Sequence, residues 1–288
     1  MSQILELPKK DFPPLLIEIP DAPKKLYYVG ELPNWQNNKF LAVVGSRKYS
    51  QYGKDACQKL IEGLRGYPII IVSGLALGID SIAHESALRA GLKTIAIPGS
   101  GLNRDVIYPA SHLGLADRIV KSGGLLLSEF EPNLKAAPYT FPQRNRIMAG
   151  MSHATLVIEA EEISGTLITS KLATEYNRDV LTIPHSIFSN TGAGPHMLLR
   201  LGATLIRKSE DILEALHLET VNNLQLTNDI PENCSPEEIK ILEMLAEPVE
   251  KETLITKLGL PISEINTLLS MMEIKGLIKE TLGEVHRT

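Results

Sequence analysis

The sequence predicts an α/β protein in which a doubly wound, mostly parallel sheet is followed by a small, mostly helical domain. Between residues 40 and 217, short apolar segments alternate with helical segments, and each apolar segment is continuous. Continuous apolar strands are typical of parallel sheets that are covered by helices on both faces. After a polar stretch, residues 236–288 carry the pattern of three helices and a hairpin.

A proline-rich segment, residues 1–39, precedes the sheet domain. Its six prolines exclude long helices, because proline lacks an N–H donor and clashes with the preceding helical turn. Two apolar groups, Leu15–Ile19 and Leu26–Val29, can anchor the segment. We therefore expect an extended arm that lies against the domain.

Seven strands are predicted in the domain of residues 40–217. They are Phe40–Val44, Ile69–Val72, Thr94–Ile97, Leu125–Leu127, Thr155–Ile158, Val180–Ile183 and Thr204–Ile206. Helices are predicted near residues 50–65, 81–90, 112–122, 144–151, 166–177, 195–201 and 209–217. Regular alternation of strand and helix indicates a doubly wound sheet.

The carboxyl-terminal part begins with a predicted linker, residues 218–235, which is polar. Residues 236–288 predict a winged-helix-like domain. Its first helix starts after Ser235, with proline in the first turn, and its second ends at Gly259. A third helix runs from Ser263 to Gly276, and a small hairpin surrounds Gly283.

Composition limits the possible functions. The net charge of −5 gives no general sign of nucleic-acid binding, but residues 41–215 carry +2 and residues 235–288 carry −4. Two cysteines, Cys57 and Cys234, cannot form a disulfide framework and suit a reducing compartment. The first residues do not show the basic and apolar pattern of a secretory leader, and no apolar run is long enough for a membrane helix, so we expect neither secretion nor membrane insertion. We expect a cytoplasmic protein that could bind a polyanion only through its middle part.

In an open parallel sheet, ligands bind beyond the carboxyl ends of the strands. The first strand ends in Gly45-Ser46-Arg47-Lys48, where glycine permits a sharp turn and arginine offers a planar fork for phosphate. A turn with solvated charges is the alternative. The second strand leads to Asp80, a candidate cap for the next helix. The third leads to a glycine-rich turn with a basic residue nearby, formed by Gly99, Gly101 and Arg104.

Two arginines near the start of a predicted helix are further candidates. Arg144 and Arg146 flank Asn145 in or just before the first turn, where a cation is unfavourable unless an anion binds. The alternative is a surface pair neutralised by Glu129 or Glu131.

Phe141 and a later polar turn complete the candidate groups. Phe141 offers a ring on which a base could stack, although a phenylalanine of the core is nearly as compatible with the pattern. After the strand that leads to Glu159, Ser164-Gly165-Thr166 opens a helix and supplies a second set of donors at the same sheet edge.

No standard catalytic or cofactor motif is present. The sequence lacks G-x-x-x-x-G-K-[ST], lacks G-x-G-x-x-G after the first strand, and shows no metal-ligand spacing among its histidines and cysteines. No pairing of a nucleophile with a base can be identified. These observations favour a binding protein over an enzyme. We expect this protein to use no cofactor and no metal, and its site to be a phosphate-lined groove.

The motifs together resemble the DNA-processing protein A family. The matching segments are GSR at 45–47, SGLALGID at 73–80, G-x-GL at 99–102, YP at 108–109, SE at 128–129, FPQRNRIMAGMS at 141–152, VIEA at 157–160, SGTLIT at 164–169 and GA at 202–203. The resemblance covers about residues 40–210. It implies an extended Rossmann-like fold and a homodimer formed through that domain.

The same resemblance implies binding of single-stranded DNA without sequence specificity. It also implies transfer of that DNA to a RecA-type recombinase, in natural transformation or in recombination. By position, Arg47 and Phe141–Arg146 would line the pocket, with the arginines on phosphates and Phe141 against a base. The full set of candidate nucleic-acid-binding residues is Gly45, Ser46, Arg47, Lys48, Gly99, Gly101, Arg104, Phe141, Arg144, Asn145, Arg146, Ser164, Gly165 and Thr166.

Two positions depart from the family pattern, and the carboxyl-terminal part has an unusual charge. Leu77 stands where many relatives carry a basic residue, and Pro184-His185 replaces the usual Pro-Gly. The winged-helix-like part is acidic, which predicts a protein contact or a regulatory role instead of duplex binding. The main alternative is a nucleotide-hydrolysing enzyme of the lysine-decarboxylase-like group, in which a catalytic glutamate would stand at Ser170.

Overall fold

The computed structural model describes residues 3–162, 164–219, 234–245, 249–250, 253–254, 258, 261–281 and 284–287. The chain divides into two compact units, residues 1–220 and 221–288. The predicted linker lies largely outside the described residues, as do most of the predicted second carboxyl-terminal helix and the hairpin turn at Gly283.

A nine-stranded sheet forms the centre of the described part of the first unit, in the order β1-β2-β6-β5-β4-β3-β7-β8-β9. From β6 to β9 every neighbouring pair is parallel, whereas β1 and β2 are antiparallel additions at one edge. The strands are β1 (Leu5–Glu6), β2 (Tyr27–Gly30), β3 (Lys39–Val44), β4 (Ile69–Ser73), β5 (Thr94–Ala96), β6 (Leu125–Ser128), β7 (Ala154–Val157), β8 (Asp179–Thr182) and β9 (Thr204–Leu205).

Helices cover both faces of this sheet. They are α1 (Pro14–Ile17), α2 (Gln51–Glu62), α3 (Ile79–Arg89), α4 (Leu113–Lys121), α5 (Thr140–Met151), α6 (Gly165–Glu175), α7 (Ala193–Arg200) and α8 (Ser209–Ala215). Because side chains alternate along a strand, Leu41 and Val43 join one apolar cluster with α2 and α3. Phe40 and Val44 join another with α5 and the amino-terminal arm. The doubly wound, mostly parallel sheet predicted from the sequence is confirmed.

The seven predicted strands of the domain are confirmed, and so are its predicted helices, with one notable shift. Helix α5 was expected near residue 144 but begins at Thr140. The Thr140 hydroxyl donates to the Gly99 carbonyl at 2.6 Å and accepts from the Ala137 N–H at 3.1 Å. This side chain therefore fixes the start of α5 against the turn that follows β5.

The amino-terminal arm contributes strands to the sheet, which the sequence did not predict. β2 pairs with β6 and β1 pairs with β2. The arm also packs on α5, where a methyl group added at Gly150 would lie 2.9 Å from the Cδ1 atom of Ile19. Asp21 lies 3.3 Å from the Nε atom of Arg146 and accepts a hydrogen bond from the Tyr176 hydroxyl at 2.8 Å.

The second unit contains α9 (Pro236–Met244), β10 (Val249–Glu250), α10 (Ile262–Ile274), β11 (Ile278–Thr281) and β12 (Glu284–Arg287). Its strands form an antiparallel sheet in the order β10-β12-β11. The predicted helix start is confirmed, because the Ser235 hydroxyl accepts from the Glu238 N–H at 3.2 Å. Across all described residues, no helix is long and apolar enough to cross a membrane.

Candidate functional site

A cavity of about 430 Å³ lies at the carboxyl edge of the sheet, where the turn after β3 meets the first turns of α5 and α6. Ten of the fourteen candidate residues line it. They are Gly45, Ser46, Arg47, Lys48, Phe141, Arg144, Asn145, Ser164, Gly165 and Thr166. The structure therefore gathers into one site groups that are separated by more than a hundred residues in the sequence.

The turn after β3 holds two cations in solvent. The Ser46 hydroxyl donates to the Lys48 carbonyl at 2.7 Å and accepts from the Lys48 N–H at 3.1 Å, which closes the turn. A methyl group at Gly45 would lie 2.6 Å from Ile79, so only glycine fits this close approach to α3. Arg47 and Lys48 are exposed, and within the described part of the chain neither forms an ion pair. Both are available to an anionic ligand.

Phe141 joins this turn to α5. The Arg47 guanidinium lies over the Phe141 ring, with Cζ 5.2 Å from the ring centroid, as in a cation–π contact. The ring also packs against the turn after β5, since a methyl group at Gly99 would lie 2.6 Å from its Cδ1 atom. Gly99 contacts the ring but does not line the cavity.

Arg144 lines the buried part of the cavity, and its side chain is engaged in contacts within the protein. Only 4% of the residue is exposed, and Nη1 donates to the carbonyl of Ile97. The residue lies beside Asp80, and a methyl group at Gly74 would overlap both side chains. Burial lowers the pKa of Arg144 to about 10 and raises that of Asp80, while the opposite charge of each partner counteracts the shift. Arg144 is thus still a cation at neutral pH.

Asp80 braces the loop after β4. Its Oδ2 accepts from the Gly74 N–H at 3.1 Å and from the Ala76 N–H at 3.4 Å. The prediction that Asp80 caps the following helix was wrong, because Gly78 occupies the N-cap position and Asp80 is the second residue of α3. The Asp80 carboxylate instead accepts from N–H groups that precede it in the chain, and it thereby stabilises the loop that packs against Arg144.

The amino terminus of α6 forms the opposite wall. Ser164 caps the helix by accepting from the Thr166 N–H at 3.2 Å, and the Nδ2 atom of Asn145 lies 3.4 Å from the Gly165 carbonyl. The space beside the Cα atom of Gly165 is open. A helix amino terminus that faces an open cavity presents N–H groups and a positive dipole to an anion. Two acidic residues, Asp80 and Glu161, are also among the described residues that line the cavity.

Glu159, at the end of the stretch that follows β7, is a structural anchor. It is fully buried, and it accepts from the Ser50 N–H at 2.9 Å, from the Ser50 hydroxyl at 2.5 Å and from the Thr191 hydroxyl at 2.8 Å. These bonds fix the start of α2. The sequence carried no signal for this role, because Ser50 and Thr191 are far from Glu159 along the chain.

Four candidate residues lie outside the cavity lining. Gly99 contacts the Phe141 ring, and Gly101 packs against the backbone of Glu131 and Pro132. Arg104 forms an ion pair with Asp117 on the surface. Arg146 forms an ion pair with Glu129 and lies 3.3 Å from Asp21, which matches the alternative of a neutralised pair. The dipole argument for the two arginines also weakens, because α5 begins at Thr140.

Comparison with known families agrees with this architecture. The sequence model of DNA recombination-mediator protein A matches residues 3–217. The model of the DprA winged helix domain matches residues 227–283. The chain belongs to the DNA recombination-mediator protein A family. Members of this family are DNA-processing proteins, and the carboxyl-terminal unit is its winged helix domain.

Individual relatives of the family cover most of the chain. Protein Smf of Escherichia coli is 37% identical over 282 residues, which span 94% of this chain and 74% of that protein. DNA processing protein DprA of Streptococcus pneumoniae is 45% identical over 198 residues, or 69% of this chain and 68% of that protein.

Two solved structures of the family share the fold. The X-ray structure of DNA processing protein A from Streptococcus pneumoniae has a TM-score of 0.69 at 41% identity, covering 76% of this chain and 75% of that chain. The protein from Helicobacter pylori has a TM-score of 0.67 at 30% identity, covering 75% of this chain and all but 2% of that chain. The latter structure is described as giving insight into a single-stranded DNA binding mode.

Proposed function

We propose that this protein binds single-stranded DNA without sequence specificity at the cavity between the β3 turn, α5 and α6. The observation that carries the proposal is the Arg47–Phe141 contact beside the open amino terminus of α6. An unpaired strand offers phosphates to Arg47, Lys48 and the helix N–H groups, and offers a base to the aromatic ring. The single-strand binding mode of the Helicobacter pylori relative supports the same ligand.

A titration with fluorescent oligonucleotides tests this function. The protein should bind a single strand much more tightly than the same sequence as a duplex. Its affinity for the single strand should fall steeply between about 50 and 200 mM salt, because binding releases counterions from the phosphates. Equal affinity for the two forms, or an affinity that does not change with salt, would show that the cavity is not a single-strand site.

The variants Arg47→Ala and Lys48→Ala locate the binding in this cavity. Each should weaken binding about tenfold and should reduce the slope of log affinity against log salt by about 0.7, the value for one lost single-strand phosphate contact. Lys59→Ala is the matched control, because Lys59 is an exposed cation at the opposite end of α2. If the control loses as much affinity as the two variants, binding is diffuse and not localised.

The site supports binding more than catalysis. Ser170 stands where a nucleotide-hydrolysing enzyme of the lysine-decarboxylase-like group would carry its catalytic glutamate, and it is buried. Its hydroxyl donates to the Leu167 carbonyl at 3.0 Å. We therefore propose that the protein is not an enzyme. We also propose that it passes bound DNA to a RecA-type recombinase, in transformation or in general recombination, which the match to DNA recombination-mediator protein A supports.

We further propose a homodimer formed through the first unit. Large apolar side chains are exposed on the segment that leads to the edge strand β9, and Phe188 is 91% exposed. The others are Ile187, Leu201 and Leu205. Exposed apolar groups of this size are typical of interaction surfaces. A homodimer has twice the mass of the single chain, and light scattering of the purified protein measures this mass directly.

The winged helix domain is proposed to contact protein and not duplex DNA. Residues 235–288 carry a net charge of −4. Helix α10 exposes the apolar side chains of Ile262, Met271 and Ile274, whereas a DNA-reading helix would carry cations and polar groups on its exposed surface.

A further inference from the structure

A second, small depression adjoins the main cavity at the Arg47–Phe141 contact. Its lining residues are Arg47, Gly74, Ala76, Leu77, Tyr108, Pro109 and Phe141. Three of these, Arg47, Ala76 and Phe141, also line the main cavity. The stacked pair of Arg47 and Phe141 therefore forms a ridge between two adjoining concave surfaces.

Tyr108 presents its ring to solvent beside this ridge. The residue is 48% exposed, and its ring centroid lies 5.8 Å from that of Phe141 at an interplanar angle of 56°. Its two predecessors, Val106 and Ile107, are buried, and their N–H groups donate to the Asn103 carbonyl at 3.0 and 3.2 Å. The segment is thus anchored, and its exposed ring is not needed for the core.

Leu77 faces the same depression and is 50% exposed. The loop that carries Leu77 is tied to the segment that follows Tyr108, because the Nδ1 atom of His112 lies 2.8 Å from the Leu75 carbonyl. The two exposed apolar groups are consequently held at a fixed separation. Exposed apolar side chains in a fixed arrangement beside a ligand cavity are more typical of a contact surface than of a solvated loop.

We propose that Tyr108 and Leu77 form a second base-binding subsite, which receives the nucleotide next to the one at Phe141. This inference rests on the proposed binding of single-stranded DNA. The depression holds only about 20 Å³, so the base lies on the exposed ring and is not enclosed. Leu77 borders the base and the sugar, and Arg47 separates the two bases.

The tilt of the two rings makes this subsite selective for unpaired strands. Neighbouring bases of a duplex stay parallel at a rise of about 3.4 Å. Bases that stack on rings tilted by 56° cannot stay parallel, so they must separate from each other. A strand with no complementary partner can do this at lower cost than a base-paired one.

The contribution of this subsite should be insensitive to salt. Among the residues that the structure describes, Arg47 is the one charged residue that lines the depression, and it is shared with the main cavity. Stacking of a base on an aromatic ring does not release counterions, in contrast to a phosphate contact. The two subsites are therefore distinguishable by how their variants respond to salt.

The test uses the full chain and oligothymidines of increasing length, titrated at two salt concentrations. Tyr108→Ala should bind the longer strands about tenfold more weakly, the usual loss for one stacked base, with the salt slope unchanged. Tyr108→Phe keeps the ring and should bind as the wild type does. Tyr49→Ala is the matched control, because Tyr49 is 45% exposed and lines neither concave surface.

A fluorescent base reports the contact itself. With 2-aminopurine next to the base at Phe141, emission should be quenched by the wild type and by Tyr108→Phe, and should recover in Tyr108→Ala. If Tyr108→Ala binds every length with wild-type affinity and leaves the quenching intact, the subsite does not exist. If the wild type itself binds no single strand, the proposed function fails first, and that result is separate from the behaviour of Tyr108.

Discussion

Two arginines reach the candidate cavity from different elements, and only one of them is free to bind a ligand. Arg47 lies on an exposed turn, and its guanidinium lies over the face of the Phe141 ring. Arg144 lies inside α5, is 4% exposed, and donates to a backbone carbonyl beside Asp80. A cation that binds phosphate must have N–H donors that are hydrated in the free protein and can be transferred to the ligand. Donors that already bond to other protein groups cannot serve. We therefore expect Arg47 to bind the ligand and Arg144 to support the site from within α5.

The largest expected effect concerns folding. Replacing Arg144 with methionine should lower the free energy of unfolding by about 3–5 kcal/mol, because Asp80 would remain buried without a compensating charge. Chemical denaturation at neutral pH measures this loss. The double variant Arg144→Met/Asp80→Asn should recover part of it, since the uncompensated charge is removed.

Arg47→Met is the control for this experiment and should change the free energy of unfolding by no more than about 0.5 kcal/mol, as expected for an exposed position. The distinction between a supporting Arg144 and a ligand-binding Arg47 would be wrong if the Arg144→Met protein unfolded at the wild-type denaturant concentration but no longer bound DNA. That result would make Arg144 a ligand-binding group.

The stability of the fold should also depend on pH through His84, a fully buried residue of α3. Burial, followed by the charges of His112 and Arg144, lowers the pKa of His84 from 6.5 to about 3. As the pH falls below 6.5, the unfolded chain takes up a proton that the folded chain excludes. The free energy of unfolding should therefore fall with pH, by about 1.4 kcal/mol per unit from this residue.

Urea denaturation of the wild type and of His84→Gln between pH 7 and pH 4.5 isolates this contribution. The variant should lack that part of the slope, so the stability difference between the two proteins should change steadily as the pH falls. Parallel curves across the range would mean that His84 titrates equally in both states.

The smallest expected effect is on DNA binding by Arg146→Gln. Glu129 and Asp21 already neutralise the Arg146 guanidinium, so single-strand affinity should change less than about twofold and the salt slope should stay the same. The double variant Arg146→Gln/Glu129→Gln serves as the control that avoids an unpaired buried carboxylate. A salt slope reduced by about 0.7 in that double variant would return Arg146 to the binding surface.

Much of the fold could be predicted from the sequence because its signals are local. Continuous apolar runs such as Ile69–Ser73 and Ala154–Val157 mark strands of a covered parallel sheet. The strands of the arm could not be found this way. Tyr27–Gly30 is a sheet strand only because β6 lies beside it, and that pairing joins residues about a hundred positions apart.

The site could be predicted in part, for the same physical reason. Glycine turns and a capped helix start are local features, so the β3 turn and Ser164–Thr166 were found. Whether an arginine is buried depends on what packs around it. The segment Arg144-Asn145-Arg146 looks like a phosphate clamp in sequence, yet Ile97 and Asp80 engage one arginine and Glu129 and Asp21 engage the other.

The contact between the arm and α5 has a practical consequence for anyone who handles this protein. Ile19 packs on Gly150, and Asp21 contacts both Arg146 and Tyr176. The amino-terminal arm therefore stabilises α5, the helix that carries Phe141. Trimming the arm to improve expression, or letting a contaminating protease remove it, would loosen a surface more than a hundred residues away. A loss of DNA affinity during storage would then be a symptom of a damaged amino terminus.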